Sequence, residues 1–348
     1  MARDLSPFAF FMAAIIFTLT LLSASVVAPV DPYYRWQELT AGTTRIGDWI
    51  YERLHFDPKP IDIALIGTSR TQTALSAPDI EHTYCEMTGR QIHVANLAVP
   101  ETGRNMQYVI AKAAISAKKP AITFVELNEY EPRKPHRNFV VLADAKDVLG
   151  APLFINTDYF SDIIRLPGRQ AMLLFRSITQ RPAVRTRFDK AAYKARLRDH
   201  TKSITFTDGR VATRFVVANA DDLEKERAAI ARRSIKLHLP GAFKTLEYRF
   251  SRLYLRKIER LAAASGGSVE YFFLPAYKAP AFPEDLGREI GINAPDIDLG
   301  GADVANDPDL FLNATHMNAW GAEIETMRFA HALARNYPGL GVKGCATR

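Results

Sequence analysis

Cysteine is nearly absent: the 348 residues include only Cys85 and Cys345. So sparse a pair excludes a disulfide-dense scaffold and any cysteine-rich zinc centre. It leaves open either one long-range bridge in an oxidising compartment or a buried Cys85 with a free tail thiol, and the rarity of lone bridges favours the second. The signatures of metal and nucleotide chemistry are missing too. No HExxH, Walker A or glycine-rich dinucleotide motif occurs, so no cofactor or metal is expected. No known nucleic-acid module occurs, which sets nucleic acid aside as a partner. Repeats and low-complexity tracts are also absent. With 47% hydrophobic and 24% charged residues the chain is ordinary globular material. Its net charge of +7 favours acidic partners such as anionic headgroups or an acidic polysaccharide.

Charge is missing altogether between Leu5 and Val30. The core of that run, Phe8–Ala28, is long enough at about 1.5 Å per residue to cross about 30 Å of hydrocarbon, which predicts one N-terminal transmembrane helix. A cleaved signal peptide is the competing reading, because Ser23-Ala24-Ser25 and Val26-Val27-Ala28 are small-residue sites. The run exceeds the usual apolar region of about 7–15 residues, and Pro29 would directly follow one of the cuts, so the uncleaved anchor is favoured. Arg3 and Asp4 before the span and Asp31 and Arg35 after it balance too evenly to orient it. Its likeness to an export signal places the remaining chain outside the cytoplasm, periplasmic or extracellular.

Beyond this anchor (residues 1–30) the organisation reads as a helical connector at 31–56 and one domain at 57–348. Apolar Trp36, Leu39, Ile46, Trp49, Ile50 and Leu54 give the connector its helical period. In the domain, short β-branched runs at Ile61–Ile66, Ile92–Leu97, Ile122–Leu127 and Val269–Leu274 read as strands. Helical stretches at Met106–Ala117, Phe243–Ala264 and Asn318–Asn336 fall among or after them. The alternation predicts an α/β fold, a three-layer α/β/α parallel sheet. The gap between the third and fourth strands is too long for one crossover, so residues 135–240 are expected to form an inserted subdomain. Asp208-Gly209 between Ile204–Thr207 and Val211–Phe215 is its hairpin signal. Arg181 to Lys202 is strongly basic, which suits a groove for an acidic substrate, a contact with anionic headgroups or simply a solvated helix face, the last being favoured.

Ser69 stands where the first strand breaks into a helix. There, helix N-terminal N–H groups can stabilise an oxyanion beside its hydroxyl, although serine is also a preferred helix cap. A serine nucleophile needs a general base, most often histidine. Of the eight histidines, His316 lies in the polar loop Asn313-Ala314-Thr315-His316-Met317-Asn318 just ahead of the last helix, with Gly321 in its first turn. His55, His82, His136, His200 and His238 have no comparable setting, and His93 and His331 fall within structured elements.

The order of these blocks resembles the SGNH (GDSL-like) hydrolase and acyltransferase family, in particular its membrane-anchored bacterial branch that modifies cell-surface polysaccharides. Gly67-Thr68-Ser69-Arg70 is similar to the nucleophile block. Asn96–Gly103 resembles the second block, whose glycine N–H joins the oxyanion hole. Glu126-Leu127-Asn128 falls at the third, and Asn313–His316 with Gly321 is similar to the final Asp-x-x-His block. The likeness covers roughly residues 60–130 and 268–335.

The resemblance implies Ser69 as nucleophile, His316 as base, and the Ser69 and Gly103 amides with the Asn128 side chain as the oxyanion hole. Arg70 would contact an anionic group or, more simply, be solvated on the helix start. Three departures matter: Thr68 stands where the GDSL form has Asp, the third block lacks Gly-x-Asn-Asp, and Asn313 replaces the triad aspartate. In a serine protease the Asp-to-Asn change costs about 10⁴ in rate. Here Asn313 would orient His316 as a neutral acceptor, Asp309 or Asp307 would supply the charge, or the site has lost activity. The sequon Asn313-Ala314-Thr315 is read as chance. The implied function is transfer or hydrolysis of an O-linked acyl group, most simply acetyl, on a cell-surface or exported polysaccharide. The alternative is a non-catalytic membrane-tethered accessory protein that binds glycan or a membrane-bound O-acyltransferase.

Overall fold

A computed structural model of the chain describes residues 7–41, 44–128, 133–179, 198–206, 208–233 and 241–345. Helix α1 (Pro7–Val27) is followed by α2 (Ile46–His55), then by strand β1 (Ile63–Ile66), α3 (Ser69–Ala74), α4 (Ala77–Thr88), β2 (Val94–Asn96), α5 (Arg104–Lys118) and β3 (Ile122–Glu126). The inserted segment holds α6 (Tyr159–Thr179), the hairpin Ser203–Thr205 with Val211–Thr213, and α7 (Ala220–Arg233). The domain then closes with α8 (Arg249–Ala264), β4 (Ser268–Phe273), β5 (Ile297–Asp298) and α9 (Ala319–Asn336).

All pairings of the central sheet are parallel, in the order β2-β1-β3-β4-β5. β5 is a fifth strand that sequence periodicity did not predict, because two residues are too few to show a period. Alternate residues of each strand feed opposite cores, since side chains switch faces at every residue. Ala64, Ile66, Val125, Tyr271 and Phe273 pack with Tyr254, Leu255 and Ile258 of α8, whereas Ile63, Leu65, Phe124 and Phe272 pack with Ile80, Tyr84, Phe329 and Leu333 of α4 and α9. Both faces are covered, which is why the strand sequences read as unbroken apolar runs.

The 31–56 segment is part of this body: Leu39, Ile46, Ile50 and Leu54 are buried in the core, and α2 packs against α5. The Asp208-Gly209 hairpin forms, with Gly209 at φ 86° in the turn. Cys85 and Cys345 are joined by a disulfide, with Cα atoms 5.9 Å apart, which corrects the expectation of a free tail thiol. The tail reaches Cys85 because Val342–Lys343 pairs with Arg90–Gln91, just past α4. Most of the basic Arg181–Lys202 stretch lies outside the described residues. Helix α1 runs 21 residues without a charge. Its side chains are described without a break only from Phe8 to Leu21, and among the described residues no helix is long and apolar enough to cross a membrane.

Candidate active site

Parallel register places the site. Ile66 lies opposite Val125, so Ser69 and Asn128 each follow three residues beyond paired positions at the carboxyl ends of the neighbouring strands β1 and β3. On the other flank Val99 donates to the Gly67 carbonyl at 3.1 Å, which brings the Asn96–Gly103 loop alongside. In open α/β sheets of this strand order the crevice between the first and third strands is where ligands bind.

Ser69 is the first residue of α3, after Thr68, whose hydroxyl caps the helix. Its Oγ lies 2.7 Å from His316 Nε2. On the other side of the ring, Nδ1 is 2.9 Å from Asn313 Oδ1 and 3.0 Å from Thr315 Oγ1. An amide oxygen only accepts, so the Asn313 contact puts the proton on Nδ1 and leaves the Nε2 lone pair for the serine hydroxyl. The three residues brought together are thus Ser69, His316 and Asn313. The same Asn313 oxygen also accepts from the Thr315 N–H at 3.1 Å, the Thr315 hydroxyl at 3.2 Å and the His316 N–H at 2.9 Å. It folds the loop on itself, and one neutral atom serves four donors.

The upstream aspartates do not reach the histidine, which corrects the expectation that one of them supplies the charge. Pro308 starts a short 3-10 turn over Pro308–Leu310 that leaves Asp309 exposed, while the Asp307 carboxylate accepts from the Asp309 N–H at 2.9 Å. His316 itself is pushed down to about 4, by burial first and then by the positive charges of Arg70 and Arg214, against a smaller pull from Glu126. It is a neutral base at physiological pH, in a setting that disfavours the imidazolium.

Glu126 organises the Gly67–Ser69 turn. Fully buried, its Oε2 accepts from the Thr68 N–H at 2.8 Å, the Thr68 hydroxyl at 2.9 Å and the Thr71 hydroxyl at 2.7 Å. Gly67 is obligatory there, because a Cβ would lie 2.0 Å from Thr71 Oγ1 and 2.8 Å from that same carboxylate oxygen. Arg70 is buried, pairing with Glu126 at 3.7 Å and donating to the Leu274 carbonyl, so it is not the solvated residue the sequence suggested.

Gly103 takes φ 143°, and a Cβ on it would strike His136 at 2.5 Å. His136 braces the loop from behind: Nε2 donates to the Pro100 carbonyl at 2.8 Å and Nδ1 accepts from the Asn138 N–H at 3.1 Å. Gly103 caps α5 and lines the same small cavity as Gly67. Asn128 lies past the end of β3 with Oδ1 buried and unpartnered among the described residues.

Sequence reasoning missed Glu126, His136 and three arginines. Arg104 donates to the Glu126 carbonyl at 2.7 Å, Arg198 to Ala98 at 2.5 Å, and Arg214 to Thr201 at 3.2 Å and to Met317. With Arg70 on Leu274, arginines hold backbone carbonyls at the ends of β3 and β4, in the loop after β2 and beside His316. No local pattern marks such a residue, since its partner lies far away in sequence. The inserted segment shapes the histidine side: Ala218 donates to the Phe311 carbonyl at 3.1 Å, and Glu226 accepts from the Ala314 N–H at 2.9 Å. Just beyond His316, Trp320 and Phe215 are exposed and meet edge to face at 5.4 Å. Among the described residues no group of histidine, cysteine and carboxylate side chains is arranged to hold a metal.

No protein-family model matches the chain, and no curated protein matches its sequence.

Proposed function

We propose that the chain is an SGNH-type serine esterase or O-acyltransferase that acts outside the cytoplasm on an acylated polysaccharide, most simply an O-acetylated one. The observation that carries this reading is the continuous relay from Ser69 Oγ through His316 to Asn313 Oδ1 at the mouth of a parallel sheet. Ser69 Oγ attacks the ester carbonyl while its proton passes to His316 Nε2. The oxyanion is held by the Ser69 and Gly103 N–H groups and by the Asn128 amide. His316 returns the proton to the departing alcohol, leaving an acyl-Ser69. Water or a sugar hydroxyl then attacks that ester, again giving its proton to His316, which completes hydrolysis or transfer.

Three further features support the reading. The uncharged Pro7–Val27 helix, about 31 Å long at 1.5 Å per residue, fits a single membrane anchor. The Cys85–Cys345 disulfide suits an oxidising compartment. The exposed Trp320–Phe215 pair beside the base fits a sugar ring against its faces.

The test is release or transfer of acetyl groups with O-acetylated polysaccharide. Ser69→Ala should abolish it, and Trp320→Ala should raise KM for the polysaccharide without changing turnover of a small acetyl ester. A second reading, a non-catalytic accessory protein that binds glycan or an acyltransferase in the same crevice, is favoured by Asn313 standing where a carboxylate would be needed. Glycan binding that survives Ser69→Ala, without turnover of any ester by the parent, would select it.

A further inference from the structure

Helix α6 is amphipathic with its apolar side outward. Leu166, Arg169, Gln170, Leu173 and Ser177 face the protein, whereas Phe160, Ile164, Phe175 and Ile178 share the opposite face and are 65–80% exposed. The helix packs against α1. The loop leading into its first turn carries Phe154, 93% exposed, and forms one wall of a groove of about 690 Å³. Arg249, Arg252, Arg256 and Arg260, which recur along one stripe of α8, form the other wall, and no carboxylate lines it. Arg249, Arg256 and Arg260 make no ion pair with any described residue.

We infer that this face is a contact surface for anionic phospholipid: the α6 stripe and Phe154 enter the boundary between headgroups and acyl chains, and the α8 arginines bind headgroup phosphates. An apolar helix face flanked by guanidinium groups matches the two layers of a bilayer surface in their natural order. An acidic protein or polysaccharide would match the arginines but leave the α6 stripe uncovered. The inference rests on the membrane reading of α1, since contact with α1 keeps α6 at the bilayer. It gives the domain a fixed pose on the membrane instead of a free tether.

The test uses the full chain in vesicles of phosphatidylcholine with and without phosphatidylglycerol. Because the two native cysteines are paired, an environment-sensitive dye can be placed singly at Phe154→Cys, Ile164→Cys, Phe175→Cys or, as a water-facing control, Val211→Cys. The first three dyes should shift to the blue and be quenched by spin-labelled lipid, and the fourth should not. Combined Arg249→Ala, Arg256→Ala and Arg260→Ala should reduce co-purifying phosphatidylglycerol severalfold, with no competition by inorganic phosphate. Water-like dyes at Ile164→Cys and Phe175→Cys in vesicles that retain the protein through alkaline extraction would overturn the inference while leaving the anchor intact. Extraction of the protein by alkali would overturn the anchor, and lipid quenching at those positions would then still decide the inference. Blue shifts produced by an acidic polysaccharide without lipid, or by self-association without lipid, would also contradict it.

Discussion

The serine turn and the histidine loop meet at one 2.7 Å contact but are built in opposite ways. The turn at Gly67–Ser69 is organised by a buried carboxylate, Glu126, which accepts three hydrogen bonds and is paired with Arg70. The loop at Asn313–His316 is organised by a neutral amide oxygen that four donors share. A charged acceptor gives stronger hydrogen bonds than a neutral one. The negative charge of this site has thus been invested in holding the serine, and the base is left without a carboxylate of its own. Reactivity should be limited on the histidine side.

The largest expected effect comes from Asn313→Asp. A carboxylate at Nδ1 stabilises the imidazolium formed during attack, so turnover of an activated acetyl ester should rise, by as much as about 10⁴ on the scale of the reverse change in a serine protease. The pH profile sharpens the point. The parent base is neutral above about pH 4, so kcat/KM should hold through mildly acidic pH and fall only as pH drops through about 4. Aspartate at 313 raises the histidine pKa, and this acidic limb should move to higher pH. Unchanged turnover and an unmoved limb would mean that the histidine side is not limiting.

Glu126→Ala should act on the other half. It leaves the Thr68 N–H and two hydroxyls without their acceptor and Arg70 without its ion-pair partner in the core, a loss of about 3–5 kcal/mol by comparison with other buried charged pairs broken on one side. Denaturant unfolding would measure it, and Glu126→Gln should recover part of the stability. If Glu126→Ala costs no more than a surface substitution, the carboxylate does not hold the turn.

A smaller effect is expected at Cys85–Cys345, which lies at the far end of α4 and provides a control. Replacing both by serine should lower stability by about 2–5 kcal/mol, as is usual for a native disulfide, without moving the kcat/KM profile with pH. A changed profile would show that the two loops are not independent of the sheet's opposite edge.

The same contrast explains what was legible in the sequence. Four of the five strands announced themselves as β-branched runs because both sheet faces are covered. Ser69 and His316 were legible because each sits at a junction between elements, and Asn313 followed from its spacing to the histidine. Glu126 was visible only as part of a block, since nothing local says that a strand-end carboxylate will turn inward toward Thr68 and Thr71. Arg70 looked like a solvated helix start because its carbonyl partner, Leu274, lies 204 residues away. Asp309 looked available on spacing alone, and the turn begun by Pro308 removed it. Short motifs led to Ser69, His316 and Asn313, while the groups that hold them depend on contacts across the fold.

The central claim is that Ser69 is activated by His316, and labelling with a serine-directed fluorophosphonate tests it most directly. Intact-mass and peptide analysis should find one probe on Ser69 in the parent, a faster reaction in Asn313→Asp, and none in His316→Ala or Ser69→Ala. An unlabelled Ser69 in both the parent and Asn313→Asp, with the fold intact, would contradict the account.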